Sequence, residues 1–162
     1  MPKPFVSRLP ARPVPWVRRS KLAAYIEATA SDLDIATRTL YGEARGEPLA
    51  GQQAVAWVFR NRVEWMPPQW WGVGLAGVCQ KPYQFSCWLQ GDSNREKLLA
   101  LSDEDPVYLA LYEVVESVMH GDIDDPTGRA SHYEVTGTGA KWAVGREPTL
   151  VVGHHSFYSI GP

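Results

Sequence analysis

Two glutamates stand in the run Tyr41-Gly42-Glu43-Ala44-Arg45-Gly46-Glu47-Pro48, and their carboxyl groups are the first candidates for acid–base chemistry. Leu33, Ala36, Thr37 and Leu40 recur at helical spacing up to Glu43, after which Gly46 and Pro48 end one helix and start another. Glu43 is therefore expected near a helix C-terminus. There the backbone carbonyls disfavour an ionised carboxylate, and burial in a cleft disfavours it further. A carboxyl that retains its proton is what a general acid requires. The plainer reading makes Glu43 and Glu47 solvated turn residues paired with Arg45, in ion pairs that contribute little.

The elements that would position these groups follow from periodicity. Residues 1–20 carry Pro2, Pro4, Pro10, Pro13 and Pro15 and read as an extended basic arm, with the remaining 21–162 as one domain. Lys21 to Ala30 is a short helix candidate, and Ser31 or Asp32 can cap the helix that ends at Glu43. Between Leu49 and Glu64, Val55, Val58, Phe59 and Val63 mark an inward stripe, which puts Gln53 and Arg60 on other faces. Trp65 to Gly77 reads as a loop, and Val78 to Leu89, interrupted by Pro82, as a small hairpin. On that hairpin Gln84 and Ser86 would share one strand face and Phe85 and Cys87 the other. Val107, Leu111, Val114, Val115 and Val118 build a last amphipathic helix that stops at His120-Gly121. Helices with one small hairpin define a mainly helical α+β domain.

Composition narrows the partners. The 162 residues suit one buried core rather than two domains, and the net charge of -2 supplies no overall basic footprint, so nucleic acid is not an expected partner. The amino-terminal cations Lys3, Arg8, Arg12, Arg18, Arg19 and Lys21 either solvate the arm or meet an anionic envelope surface. No segment has the length and uniform apolarity of a membrane span, so stable membrane insertion is not expected. The start also lacks the apolar core of a secretory signal, which predicts synthesis and folding in the cytoplasm. Cys79 and Cys87 are expected to be reduced thiols there, or a disulfide if the chain reaches an oxidising compartment.

The wider pattern resembles the SleB-type cell wall hydrolase family. The resemblance is carried by Leu40 to Pro48, by Gly51-Gln52-Gln53-Ala54-Val55-Ala56 leading to Asn61-Arg62-Val63, and by Pro82-Tyr83-Gln84-Phe85-Ser86-Cys87-Trp88. Weaker blocks are Ala130-Ser131-His132-Tyr133, Trp142-Ala143 and His155-Ser156-Phe157-Tyr158. It implies a lysozyme-like, lytic transglycosylase-like single domain in which a helix-borne glutamate faces a sheet lining a sugar cleft. On that reading Glu43 is the catalytic acid, acting on the glycan strand of peptidoglycan between N-acetylmuramic acid and N-acetylglucosamine. The same carboxylate would then take the proton of the muramoyl six-hydroxyl as it closes an anhydro ring. A glycosidase of the usual kind needs two carboxyls, and Glu47 is the second candidate. The turn between them hides its distance, and a structural role, satisfying backbone donors at the start of the next helix, is favoured for it.

The same resemblance proposes Gln84, Phe85, Ser86, Trp88 and Tyr133 as substrate-binding residues, with Tyr83 a further stacking candidate and Tyr133 able to steady Glu43. No cofactor and no metal is expected, and the chain is expected to be a monomer. A phage endolysin, released to the wall by a separate membrane-permeabilising protein, is the setting expected for such an enzyme without an export signal. Two rival readings use other residues. His132, His154 and His155 could bind zinc for an amidase or peptidase, although no ligand pair of known spacing accompanies them. The chain could also be a catalytically silent wall-binding or virion protein that uses its tryptophans without turnover.

Overall fold

The computed structural model describes residues 28–65 and 70–161. The proline-rich arm and most of the helix candidate from Lys21 to Ala30 lie outside these residues. Among the described residues five α-helices come first and a small antiparallel sheet last, an α+β order. Helix α1 (Ala30–Ala44) opens on a capping box: Asp32 N donates to Thr29 Oγ1 at 3.1 Å and Thr29 N donates back to Asp32 Oδ2 at 2.9 Å. Thr29 is thus the cap, one residue before the helix, and Asp32 sits inside the first turn, correcting the expectation of Ser31 or Asp32. The α1 stripe Leu33, Ala36, Leu40 and Ala44 is buried, as the 3.6-residue period requires.

Helix α2 (Leu49–Val63) runs through the middle of the domain and is buried on nearly every side from Ala54 to Arg62. Arg60, expected on an outer face, has no exposed surface at all. Its guanidinium donates to Val118 O at 2.6 Å and Met119 O at 3.2 Å, pairs with Glu64 at 3.1 Å and lies over the Trp57 ring. It thereby satisfies carbonyls at the end of the long C-terminal helix, where a cation is favoured. Asn61 bonds Ala130 O at 3.0 Å and Asp125 Oδ2 at 3.2 Å, and Arg62 donates from Nε to Ser131 O at 2.7 Å. Asn61 and Arg62 therefore tie down the loop that leads into the sheet, while Arg60 holds the helix end before it.

Helix α3 (Gly74–Cys79) begins inside the stretch expected to be loop, and α4 (Arg95–Ala100) covers α1. Helix α5 (Pro106–His120) is capped by Asp105, which accepts from Val107 N at 2.7 Å, and ends at Gly121 as expected. Leu40, Val55, Phe59, Val115 and Phe157 belong to one hydrophobic core joining α1, α2, α5 and the sheet.

The hairpin expected over Val78 to Leu89 does not form. Val78 and Cys79 finish α3, Ser86–Trp88 is one turn of 3-10 helix, and the backbone bonds run locally from Gln84 N to Lys81 O, Trp88 N to Phe85 O and Leu89 N to Ser86 O. Each apolar side chain enters the helical core separately, Val78 with 0%, Phe85 with 3% and Cys87 with 1% of its surface exposed. Core burial is satisfied without a partner strand, so the β-forming side chains never need one.

The sheet is formed instead by β1 (His132–Val135), β2 (Leu150–Val152) and β3 (His155–Tyr158), with β3 central and both neighbours antiparallel to it. Tyr133 pairs with Phe157 and Val135 with His155, so Tyr133, His155 and Phe157 share one face while His132, Glu134 and Tyr158 share the other. Trp142, from the excursion between β1 and β2, packs on His132 at 4.9 Å and Tyr158 at 5.3 Å and covers that second face.

Candidate active site

Glu43 lies in the last turn of α1, half-buried, where the helix has no basic residue to complement its carbonyl end. Tyr133, 90 residues away on β1, donates its hydroxyl to Glu43 Oε2 at 2.7 Å. The tyrosine ring packs against Phe157, tilted by 33° at 5.7 Å, and against His155, edge-on at 5.1 Å. Burial, and then the charge and hydrogen bond of Glu43, hold the Tyr133 phenol well above its ordinary range. Tyr133 therefore stays protonated and is the donor, with the carboxylate oxygen as acceptor.

The other wall of the site comes from the Ser86–Trp88 turn, which lies against α1. A β-carbon added to Gly42 would stand 2.6 Å from Cys87 Cβ and 2.9 Å from its Sγ, so only glycine before Glu43 lets the turn come so close. The Cys87 thiol is raised by burial and then by the neighbouring Glu43, and it is a free, protonated group. Cys79 is likewise free and buried, pushed up to about 12 chiefly by burial. Trp88 donates from its indole nitrogen to Thr39 Oγ1 at 3.0 Å, one turn before Glu43 on the same helix.

The remaining expected binding residues spread out. Gln84 spends its amide nitrogen on Val78 O at 2.7 Å and Trp71 O at 3.1 Å, which ties the chain around α3 together. Phe85 is in the core, its ring 5.0 Å from that of Phe59. Ser86 is exposed, and Tyr83, with φ of 64°, leaves 86% of its surface in solvent. Gln84 and Ser86 do not share a strand face because there is no strand there. Of this group the structure brings Tyr133 onto the acid and Trp88 beside its helix.

Glu47, four residues after Glu43, has a different environment. Its side chain is 7% exposed, its Oε2 accepts from His154 N at 2.8 Å, and its Oε1 lies 2.8 Å from His154 Nδ1. His155 Nδ1 is 3.8 Å from Oε2. Burial pushes this carboxyl up, but the His154 amide and ring and the two histidine charges outweigh it and leave it below its ordinary value. The donor it satisfies belongs to the turn between β2 and β3 rather than to the start of α2, whose cap Pro48 makes no side-chain bond. Arg45 does not pair with either glutamate: it donates to Tyr41 O at 3.0 Å and Asn94 Oδ1 at 2.9 Å. Asp34 pairs with Arg38 and accepts from Tyr108, and Asp32 serves the cap.

Arg62 is a residue that sequence reasoning left without a role. It is buried between the rings of Trp71 at 4.6 Å and Phe85 at 5.1 Å, and its Nη1 has no hydrogen-bond partner. Burial lowers it to about 10, against the pull of Tyr133, Cys79 and Glu43, so it remains a cation behind the acid. Its position after Asn61 on an otherwise apolar helix was the available signal. The histidines of the zinc reading do not converge: His132 and His155 occupy opposite sheet faces and His154 rests on Glu47. Among the described residues no three His, Cys, Asp or Glu side chains group closely enough to hold a metal.

A mainly helical domain whose helix-borne glutamate is met by a small antiparallel sheet is a lysozyme-like fold. Its family is the cell wall hydrolases: the family's profile matches residues 46–158, and the chain belongs to it. Glu43 lies just before that matched stretch. A spore cortex-lytic enzyme of Bacillus cereus is 30% identical over 130 residues, which are 78% of this chain and 44% of that protein. The corresponding enzyme of Halalkalibacterium halodurans is 27% identical over 128 residues, 78% of this chain and 34% of its own length. The chain thus spans less than half the length of these curated relatives. Among solved structures, the catalytic domain of Bacillus cereus SleB matches with a TM-score of 0.61 at 27% identity, covering 83% of this chain and 94% of that one. The catalytic domain of the germination-specific lytic transglycosylase SleB from Bacillus anthracis matches with a TM-score of 0.59 at 28% identity, over 80% and 95%.

Proposed function

We propose that this domain cleaves the glycan strand of peptidoglycan between N-acetylmuramic acid and N-acetylglucosamine, as a lytic transglycosylase with Glu43 as its acid and then its base. The observation that carries the reading is the environment of the two glutamates: Glu43 is half-buried with one oxygen held by Tyr133, while both oxygens of Glu47 are engaged by the β2–β3 turn. A mechanism that needs one carboxyl suits that arrangement better than one that needs two. Glu43 gives its proton to the glycosidic oxygen as the bond from the anomeric carbon breaks. The muramoyl six-hydroxyl then attacks that carbon and returns its proton to the Glu43 carboxylate, leaving an anhydromuramic end. The Tyr133 hydroxyl orients Oε2 in both steps and stabilises the ionised form in the second. The lytic transglycosylase name of the Bacillus anthracis relative supports the same chemistry.

Mass spectrometry of soluble fragments released from purified peptidoglycan, beside Glu43→Gln, tests this. Anhydromuramic ends that disappear in the variant are expected. Reducing muramic ends would instead indicate a water-using muramidase, cleaved peptides with intact glycan would overturn the reading, and binding without release would make the domain a silent wall-binding protein. The proposed setting is lysis of a host by a phage. Cytoplasmic expression should then lyse cells only when a membrane-permeabilising protein is supplied with it.

A further inference from the structure

The turn between β2 and β3 is attached to the α1–α2 turn by Glu47 alone of the two glutamates, and the attachment leaves no spare room. Gly153, with φ of 57°, stands so close that an added β-carbon would lie 1.9 Å from Glu47 Oε2 and 3.0 Å from Pro48 Cδ. His155 follows two residues later as the first residue of β3 and is buried. Its ring meets Tyr133 edge-on at 77° and lies 6.2 Å from Phe157. Its Nδ1 has no hydrogen-bond partner and faces Glu47 Oε2 at 3.8 Å. A buried nitrogen without a bond is normally costly, so a histidine here is poorly explained by core packing alone.

Four side chains from three places in the chain, the α1–α2 turn, β3 and β1, thus follow one another in space: Glu47, His155, Tyr133 and Glu43. We propose that His155 is a positioning residue for Glu43, bracing the Tyr133 ring so that its hydroxyl stays on Oε2, and that Glu47 is the anchor holding His155 in place. The inference deepens the proposed reaction and rests on Glu43 being its acid. Phe157 packs against the Tyr133 ring at a tilt and His155 packs edge-on beside it, the three rings forming a triangle in which His155 and Phe157 are 6.2 Å apart. Without the second brace the phenol can swing, and a displacement of about 1 Å at a reacting group costs up to roughly a hundredfold in rate. The charged groups facing His155 are Glu47 and His154 from the turns and Glu43 from α1. Burial lowers the imidazole below its ordinary value against the pull of Glu47 and Glu43, so the ring braces as a neutral group.

The test uses the full chain with His155→Ala, His155→Phe and Glu47→Gln. Tyrosine labelled at the carbon bearing the hydroxyl reports the Tyr133 phenol by NMR. In His155→Ala, kcat should fall by about ten- to a hundredfold with KM within about twofold. The Tyr133 titration should drop from its raised position toward the ordinary tyrosine range while the other tyrosine signals stay in place. His155→Phe restores a ring and should recover most of both losses, and Glu47→Gln should move the Tyr133 signal in the same direction by less. An unchanged Tyr133 signal in folded His155→Ala overturns the proposal, as does a phenylalanine variant as impaired as the alanine one. An unmoved signal in Glu47→Gln removes the anchor. Should His155→Ala not fold, His155→Leu replaces it under the same criteria. The NMR readout does not depend on substrate: if the wild type releases no glycan fragments but the Tyr133 signal moves, the bracing stands and the peptidoglycan reading falls.

Discussion

The two ends of the α1–α2 turn carry the same side chain in opposite circumstances. At the helix end, Glu43 is half-buried with the Tyr133 hydroxyl on Oε2 and the Cys87 thiol beside it; past the turn, Glu47 has its side chain almost wholly buried and both oxygens bonded to His154. The difference teaches that an acid is made available for chemistry by what is withheld from it. A carboxylate tied through both oxygens to one fixed turn has little to offer a substrate, whereas one oriented by a tyrosine hydroxyl and half open is still free to exchange a proton.

The sharpest way to break that comparison is the same substitution at both sites. Glu43→Gln removes the proton donor at constant volume and should cut turnover by about a thousandfold or more, with thermal stability near that of the wild type. Glu47→Gln should do the reverse, costing about 1 to 3 kcal/mol of stability through the lost charge-assisted bonds and far less activity. Equal losses of activity from two folded variants would return Glu47 to the role of a second catalytic carboxylate. Fragment release and calorimetry on the same preparations make the measurement.

Gly153→Ala attacks the sealed site from the other side. The new methyl group overlaps the Glu47 carboxylate and its backbone has a left-handed φ, so about 2 kcal/mol of stability should be lost, read from a urea midpoint. A neutral outcome would mean that the turn is not held by Glu47. Tyr133→Phe sharpens the open site: it keeps the ring packed on Phe157 and His155 and removes only the hydroxyl. About a tenfold fall in kcat is expected, without unfolding. An unchanged kcat would make Tyr133 a packing residue.

The smallest expected effect is on acid stability, and it comes from the sheet face turned away from Glu43. Burial first, then the Arg62 and Arg146 charges, lower His132 from 6.5 to about 4. Between these values the unfolded chain binds the proton and the folded chain does not, so stability falls as the pH drops through that window. With partial exposure the loss is about 1 kcal/mol. Glu47 acts lower down: its depressed carboxyl contributes stability above the ordinary carboxylate value and loses it as the pH falls through the folded value. Denaturant midpoints against pH for His132→Asn should show a shallower fall in the upper window, where the lowered His155 still contributes, and an unchanged lower one. A wild-type midpoint constant from pH 6.5 to 4 would contradict the burial of a neutral His132.

Local patterns were legible wherever one face of a helix decides. The α1 and α5 stripes, the stop at Gly46 and Pro48 and the end at Gly121 follow from periodicity and breakers, and they put Glu43 in its last helical turn. Reading failed where burial did not follow one face. Arg60 and Arg62 sit inside because carbonyls at the end of α5 and before β1 receive their guanidinium groups, and those acceptors lie 58 and 69 residues away. The block from Gln84 to Trp88 looked like a strand because Phe85 and Cys87 alternate with polar neighbours, a spacing that a tight turn against a helical core satisfies as well. The true sheet was read only as short apolar pieces, since three- and four-residue strands leave too few alternations to recognise.

The sequence by itself determined that a glutamate closes a helix beside a tight turn, that the chain forms one mainly helical domain, and which family pattern it follows. Those properties depend on neighbours within a turn or two, where propensity, capping and periodicity operate. Only the tertiary structure decided that Glu43 meets Tyr133, that Glu47 is committed to the β2–β3 turn, and that Arg62 is buried near Glu43 and Tyr133. These contacts join residues 69 to 107 positions apart. Their geometry is fixed by packing against the shared core, which no local stretch of the chain contains.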